Sequence, residues 1–167
     1  MIRKAMLADA PAIAKIYEYY VLETTITYEV EPPDAKEMSN RWKNISANYP
    51  YLVMEEKGRV IGYAYAARFR ERKAFDPTTE VSIYLDKDYC ADGRGPMLMK
   101  ALFKELEAYP YATAVACISS NNEFSAKFCK KVGFHYVGTL ENVGYKKNQW
   151  LGLAEYTKKL GGWEKHR

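Results

Sequence analysis

The chain is poor in the residues that build metal sites and disulfide frameworks. Its 167 residues hold three cysteines and two histidines. Cys90, Cys117 and Cys129 are separated by 27 and 12 positions, with no CxxC pair. That spacing excludes a zinc knuckle and a dithiol redox motif. An odd number of scattered thiols suits a reducing compartment. His135 and His166 lie far apart in sequence, which argues against a histidine metal site and a Ser-His-Asp triad. No apolar run approaches the roughly 20 residues that span a bilayer. The opening MIRKAMLADAPA lacks the apolar core of a signal peptide, so a cytoplasmic protein that meets no membrane is expected. Lys plus Arg number 25 against 21 Asp plus Glu, a net +4 without a long basic block. That mild excess gives no footprint for nucleic acid and is compatible with a small anionic ligand.

Repeats, low-complexity stretches and long linkers are also missing. Only EPPD at 31–34 and the Gly161-Gly162 pair look linker-like. What remains is 48% apolar and 28% charged, which excludes disorder and predicts one domain over residues 1–167. Fifteen tyrosines raise the aromatic share to 14%. Such rings pack core edges or line a cleft with a polar tip.

The pattern along the chain alternates strand and helix signals. IRKAM (2–6) reads as a short strand, and Asp9 as an N-cap with Pro11 in the first helical turn. Ile13, Ile16, Tyr17 and Tyr20 follow at helical spacing. TTITYEV (24–30) is β-branched and reads as extended. Asp34, after Pro32-Pro33, caps a helix to about Ala47. YLVMEE and RVIGYAYAARF flank Lys57-Gly58, a hairpin signal. TEVSIYL (79–85) is the next strand, and Leu98, Ala101, Leu102 and Leu106 mark a helix face. ATAVACI (112–118) reads as a buried strand. Ser120 and Glu123 have capping-box spacing for a helix that ends at Gly133. FHYVGTLENVGYK and WLGLAEYTKKL close an α/β pattern with antiparallel hairpins at both ends.

The most informative stretch runs from TEVSIYL through Gly93-Arg94-Gly95 into a helix. Two glycines one residue apart allow a tight turn and close approach of the backbone to a ligand. Pro96 fits the first turn, and the free N–H groups there favour an anion such as a pyrophosphate. The Walker pattern and GxGxxG are both absent, and the loop lies in mid-chain, which argues against a Rossmann start.

IRKAMLADAPAIAKIY, TYEVEPP, YPYLVMEEKGRVIGYAYAARFRERKAF, TEVSIYLDKDY, ADGRG, NNEFSAKFCKKVGF and GTLENVGYKKNQWL follow one another over nearly the whole chain. In that order the sequence resembles the GNAT superfamily of N-acetyltransferases, nearest its phosphinothricin and methionine sulfone acetyltransferase branch. The resemblance implies a mixed, V-shaped sheet of about seven strands flanked by about four helices. It implies acetyl-CoA as co-substrate, wedged between the fourth and fifth strands, with no metal. Direct transfer to the α-amine of a small amino acid or analogue is the implied reaction, and a homodimer the implied assembly.

The same resemblance distributes roles. Ile83, Tyr84 and Leu85 match the segment whose backbone pairs with the pantetheine arm. Ala91, Asp92, Gly93, Arg94, Gly95 and Pro96 match the pyrophosphate loop, with Cys90 in place of its usual Gln or Arg and Asp92 in a place that suits a neutral or cationic residue. Arg94 is expected to offset Asp92. Asn122 matches an asparagine that bonds the cofactor, and could equally cap its helix. Glu80 matches the branch's proposed general base, needed because an ammonium must lose a proton before attack on the thioester. Cys129 stands where tyrosine or histidine serves as the acid. A thiol's reference pKa of about 8.5 would allow that role, and a small buried apolar residue is the plainer reading. Arg70, Arg72, Phe75 and Tyr28 are the implied acceptor-site residues, since a guanidinium grips a carboxylate or phosphinate. Gly144, Lys146 and Trp150 match the dimer-closing segment, whereas Asn148 replaces a glycine and Gly152 an aspartate. Two other readings stay open: an N-terminal acetyltransferase of peptides or proteins, and a non-catalytic acyl-CoA sensor.

Overall fold

The computed structural model describes residues 1–166. Strand β1 (Ile2–Lys4) pairs antiparallel with β2 (Tyr51–Glu56), and β2 with β3 (Arg59–Arg68). Lys57 and Gly58 make the β2–β3 turn with φ of 51° and 75°, the two left-handed residues a tight hairpin requires. Strand β4 (Thr78–Leu85) continues the antiparallel sheet along β3. Strand β5 (Thr113–Ser119) joins β4 in parallel, and β7 (Gln149–Lys159) lies between β5 and β6 (His135–Lys146). The order β1-β2-β3-β4-β5-β7-β6 is therefore one mixed seven-stranded sheet, as the motif order implied.

Helices cover both faces. The face of β2–β4 that carries Tyr51, Val53 and Tyr63 packs under α1 (Ala10–Glu23) and α2 (Ala35–Ser46). Ile13, Ile16, Tyr17, Tyr20 and Val21 form the buried stripe of α1. Asp34 caps α2, accepting from the Glu37 amide at 2.8 Å. The opposite face packs Leu52, Ile61, Val81 and Ala114 against α3 (Arg94–Leu106), whose Leu98, Met99, Leu102 and Leu106 are buried. Helix α4 (Glu123–Lys131) lies beside it and stops at Gly133, φ +92°. Among the described residues no helix is long and apolar enough to cross a membrane.

Three local expectations are corrected. Asp9 precedes α1 but does not cap it. Its carboxylate turns back to the Met6 amide (2.8 Å) and to Arg3 (2.8 and 2.9 Å), where a full charge is the stronger partner. Residues 24–30 form no strand. Their backbone is held by side chains instead: Thr24 Oγ1 donates to the Tyr20 carbonyl and accepts from the Ile26 amide, and Lys146 Nζ donates to the Thr27 carbonyl. Ser120 is not the cap of α4, because its hydroxyl accepts from the Gly152 amide at 3.2 Å. Asn122 caps that helix, its Oδ1 accepting from the Ser125 amide at 3.0 Å.

Candidate active site

The site begins where two strands part. Strands β4 and β5 pair only at Thr78–Thr113, Thr79–Ala114 and Glu80–Val115. Beyond Glu80, β4 stays with β3 to Leu85, and β5 stays with β7 to Ser119. The V that opens leaves one backbone edge of residues 81–85 without a ladder, and such groups must find another partner. A groove of 310 Å³ runs along it, walled by Ile83, Tyr84, Leu85, Gly95, Pro96, Asn122 and Phe128, with Tyr20 and Phe124 at its sides. A narrower space of 80 Å³ continues between the strands to Ser82, Cys117 and Cys129. Tyr20 reaches in from α1 to donate to the Leu85 carbonyl at 2.5 Å and lies 3.4 Å from Cys90 Sγ.

The outer end of the groove is the first turn of α3. Gly93 has φ +85°, a left-handed turn in open space, and it aims the N–H groups of the following residues outward. Gly95 is needed for a different reason: a Cβ there would sit 3.1 Å from the Phe128 ring. Asp92 is paired with Arg94. Arg94 also holds Glu56 at 2.7 Å and lies 4.9 Å over the Tyr89 ring. The arginine thus neutralises Asp92, as expected, and is tied to β2 while doing so. An extended thioester cofactor with an anionic end fits this shape. An apolar slot with a free strand edge leads to main-chain donors at a helix start.

The other mouth of the V is a face of mixed polar and apolar residues. Strand pairing puts Ala67, Glu80, Ser82, Val115, Cys117 and Glu155 on one surface. Glu80 is half-buried, and burial pushes its carboxyl above the ordinary range. Arg70 works against that rise, and the like charge of Glu155 adds to it. The Cys117 thiol is pushed up to about 12 by burial, with Glu80 and Glu155 contributing. Cys129 is 3% exposed on α4, and burial pushes its thiol up to about 11. It is therefore a neutral S–H group facing the inner slot.

The segment between α1 and α2 roofs this face. Tyr28 donates to the Gly152 carbonyl at 2.5 Å, and its ring would lie 2.9 Å from a Cβ on Gly144. Lys146 is buried and donates to the Thr27 carbonyl at 2.8 Å; burial lowers its pKa. Glu29 closes the far side with a bidentate pair to Arg41, at 2.7 and 2.9 Å. Of the loop after β3, Arg70 is the arginine whose charge reaches Glu80 and Cys117, and its guanidinium stacks on Phe69. Arg72 is exposed, and Phe75 packs edge-on against Phe69.

Ile83, Tyr84, Leu85, Gly95, Pro96 and Asn122 thus line one groove, with Ala91 and Asp92 exposed at its outer end. Cys129 lines the inner slot, and Glu80 stands at the last β4–β5 pair, at the root of the V. Sequence reasoning missed Cys117, Glu155 and the Glu56–Arg94 pair. A lone acid between apolar neighbours in LGLAEYT was the available signal for Glu155.

Comparison with known proteins agrees with this architecture. The model of the acetyltransferase (GNAT) domain family matches residues 2–152. A phosphinothricin N-acetyltransferase of Alcaligenes faecalis is 37% identical over 145 residues, 86% of this chain and 74% of the relative. An L-methionine sulfoximine/L-methionine sulfone acetyltransferase of Pseudomonas paraeruginosa is 35% identical over 158 residues, 92% of this chain and 90% of the relative. A GNAT superfamily phosphinothricin acetyltransferase of Sinorhizobium meliloti, solved with acetyl-CoA, superposes with a TM-score of 0.92 at 36% identity, covering 96% of this chain and 88% of that one. The chain belongs to the GNAT acetyltransferases, in the branch that its motifs resembled. It is accordingly an N-acetyltransferase that uses acetyl-CoA.

Proposed function

We propose that this enzyme acetylates the α-amine of a small amino acid or amino-acid analogue of the phosphinothricin or methionine sulfone type, by direct transfer in a ternary complex. The observation that carries the reading is the V between β4 and β5. A cofactor groove enters from one side, a half-buried carboxylate stands at the root, and an arginine lies on the opposite side.

In this reading acetyl-CoA supplies the acetyl group as a thioester. The N–H groups of residues 91–95 hold the pyrophosphate, with Pro96 shaping the helix start and Asn122 and the backbone of 83–85 along the pantetheine. That strand edge also polarises the thioester carbonyl. Glu80 takes a proton from the ammonium, directly or through water, and burial makes it a stronger base than an ordinary carboxylate. Arg70 receives the acceptor's anionic group, with Arg72, Phe75 and Tyr28 framing the site. Cys129 faces the inner slot, but burial pushes its thiol up to about 11, above the roughly 8.5 of an ordinary thiol, so water rather than Cys129 protonates the departing thiolate.

The assembly proposed is a homodimer through β6. That edge strand exposes Tyr136, Val137, Leu140, Val143 and Tyr145, and Trp150 follows on β7, an apolar strip that water disfavours. Three free thiols fit a cytoplasmic location.

The test is acetyl transfer from acetyl-CoA to phosphinothricin, methionine sulfone, methionine sulfoximine, the free amino acids and short peptides, read by mass spectrometry. Acetylated amino acids are expected. Product on peptides alone would replace this reading with a peptide acetyltransferase, and tight cofactor binding without any product would replace it with a sensor.

A further inference from the structure

The acceptor face carries one more carboxylate than the proposed reaction uses. Glu80 sits beside Val115 across the β4–β5 pair, Cys117 is two residues further along β5, and Glu155 stands opposite Cys117 on β7. Directly opposed residues on neighbouring strands share a face, so the two glutamates look onto the same surface with Cys117 between them. Two strand spacings and one two-residue step put their backbones about 12 Å apart. Neither side chain makes an ion pair or hydrogen bond among the described residues, and both are half-buried. Both act on the Cys117 thiol, and Glu155 acts on Glu80, so their charges lie within reach of one another. Arg70 is the cation that acts on Glu80 and on Cys117.

An α-amino acid brings one ammonium and one carboxylate. The first matches Glu80 and the second Arg70. Glu155 is then left without a partner in a partly dry site, where an unpaired charge is unfavourable. An acceptor with an anionic side chain makes this worse by like-charge repulsion. One with a second cation relieves it, and the gap between the two carboxylates suits a molecule cationic at both ends.

We propose that Glu155 is a specificity-determining residue, selecting amino acids whose side chain carries an ammonium or guanidinium over those whose side chain is anionic. The inference rests on the acetylation of amino acids proposed above and departs from it in one respect, setting cationic side chains ahead of the anionic side chain of phosphinothricin.

The experiment compares kcat/KM for lysine, ornithine and arginine with that for phosphinothricin, in the wild type, Glu155→Gln and Glu155→Lys. Acetyl-CoA affinity, measured by calorimetry, checks that each variant is folded. The wild type should favour the cationic acceptors over phosphinothricin by at least about tenfold, one charge contact in a half-buried site. Glu155→Gln should reduce that ratio about tenfold, and Glu155→Lys should invert the order. A ratio that is the same in all three proteins overturns the inference, even if every amino acid is acetylated. A wild type that binds acetyl-CoA and acetylates no amino acid overturns the proposed function, and the narrower inference with it.

Discussion

The Tyr28 hydroxyl donates to the carbonyl of Gly152 at 2.5 Å, across 124 residues of chain. The same ring occupies the space where Gly144 would carry a side chain. Lys146 adds its bond to the Thr27 carbonyl, so the connection between α1 and α2 is pinned to the β6–β7 hairpin at three points. That roof lies over the face proposed to take the acceptor and away from the outer end of the groove. Gly144→Ala should push the Tyr28 ring aside and lower stability by about 1–3 kcal/mol, the usual penalty of overpacking. The amine KM should rise several-fold while acetyl-CoA affinity stays the same. Thermal melts and a two-substrate kinetic analysis check this, and an unchanged amine KM would show that the roof does not shape the acceptor site.

Glu80 is the residue on which the proposed chemistry depends most. Glu80→Gln keeps the shape and removes the proton acceptor. Turnover should fall by about 10²- to 10⁴-fold, the range of a lost general base. Acetyl-CoA affinity should remain near that of the wild type, because Glu80 stands at the root of the V and not along the groove. Stopped-time mass spectrometry and calorimetry separate the two quantities. Equal turnover in the two proteins would remove Glu80 from the mechanism.

The pH profile follows from the surroundings of the same carboxyl. Burial holds Glu80 above its ordinary value of 4.5, opposed by Arg70 and assisted by Glu155. Only the ionised form accepts a proton, so kcat/KM should rise with pH through a limb centred above 4.5. Glu155→Gln removes a like charge, so Glu80 ionises more readily and the limb should move to lower pH. Arg70→Gln removes a favourable cation, and the limb should move to higher pH. Displacement in the same direction by both variants would show that the limb belongs to another group.

The sheet was legible because its signals are local. Lys57-Gly58 and the alternating residues around it define a hairpin with no knowledge of its neighbours, and Gly93-Arg94-Gly95 marks a turn into a helix whatever packs around it. The groove was legible through motif order, since Ile83, Gly95 and Asn122 recur in a family arrangement and do meet along one slot. Residues 24–30 misled because β-branched residues suit strands, yet the Thr24 and Thr27 hydroxyls here bond the Tyr20 carbonyl and the Glu29 amide, and a distant lysine holds the Thr27 carbonyl. Asp9 misled because a cap signal looks forward into the helix, whereas its carboxylate turns back to Arg3 on β1 and to the Met6 amide. Glu155 showed in the sequence only as a lone acid between apolar neighbours, which does not say what it faces. Its partner face depends on the β5–β7 register, which joins segments nearly 40 residues apart: Cys117 is paired with Glu155.

Asp92 offers a test in which affinity should improve. Its carboxylate stands at the outer end of the groove, close to the first turn of α3, and engages Arg94. Arg94 is also held by Glu56, so it meets two carboxylates and has little left for a phosphate. Asp92→Asn removes a negative charge beside the proposed pyrophosphate position and frees part of the guanidinium. Interactions of this kind at an exposed helix start are worth about 0.3–1 kcal/mol. Acetyl-CoA should therefore bind about two- to fivefold more tightly, with the gain shrinking as salt rises because the charges are exposed. Arg94→Gln should act in the opposite direction, since it leaves Asp92 uncompensated next to the incoming phosphates. Calorimetric titration of acetyl-CoA at low and high salt reads both effects. If Asp92→Asn binds no more tightly than the wild type at low salt, the pyrophosphate does not lie against this loop.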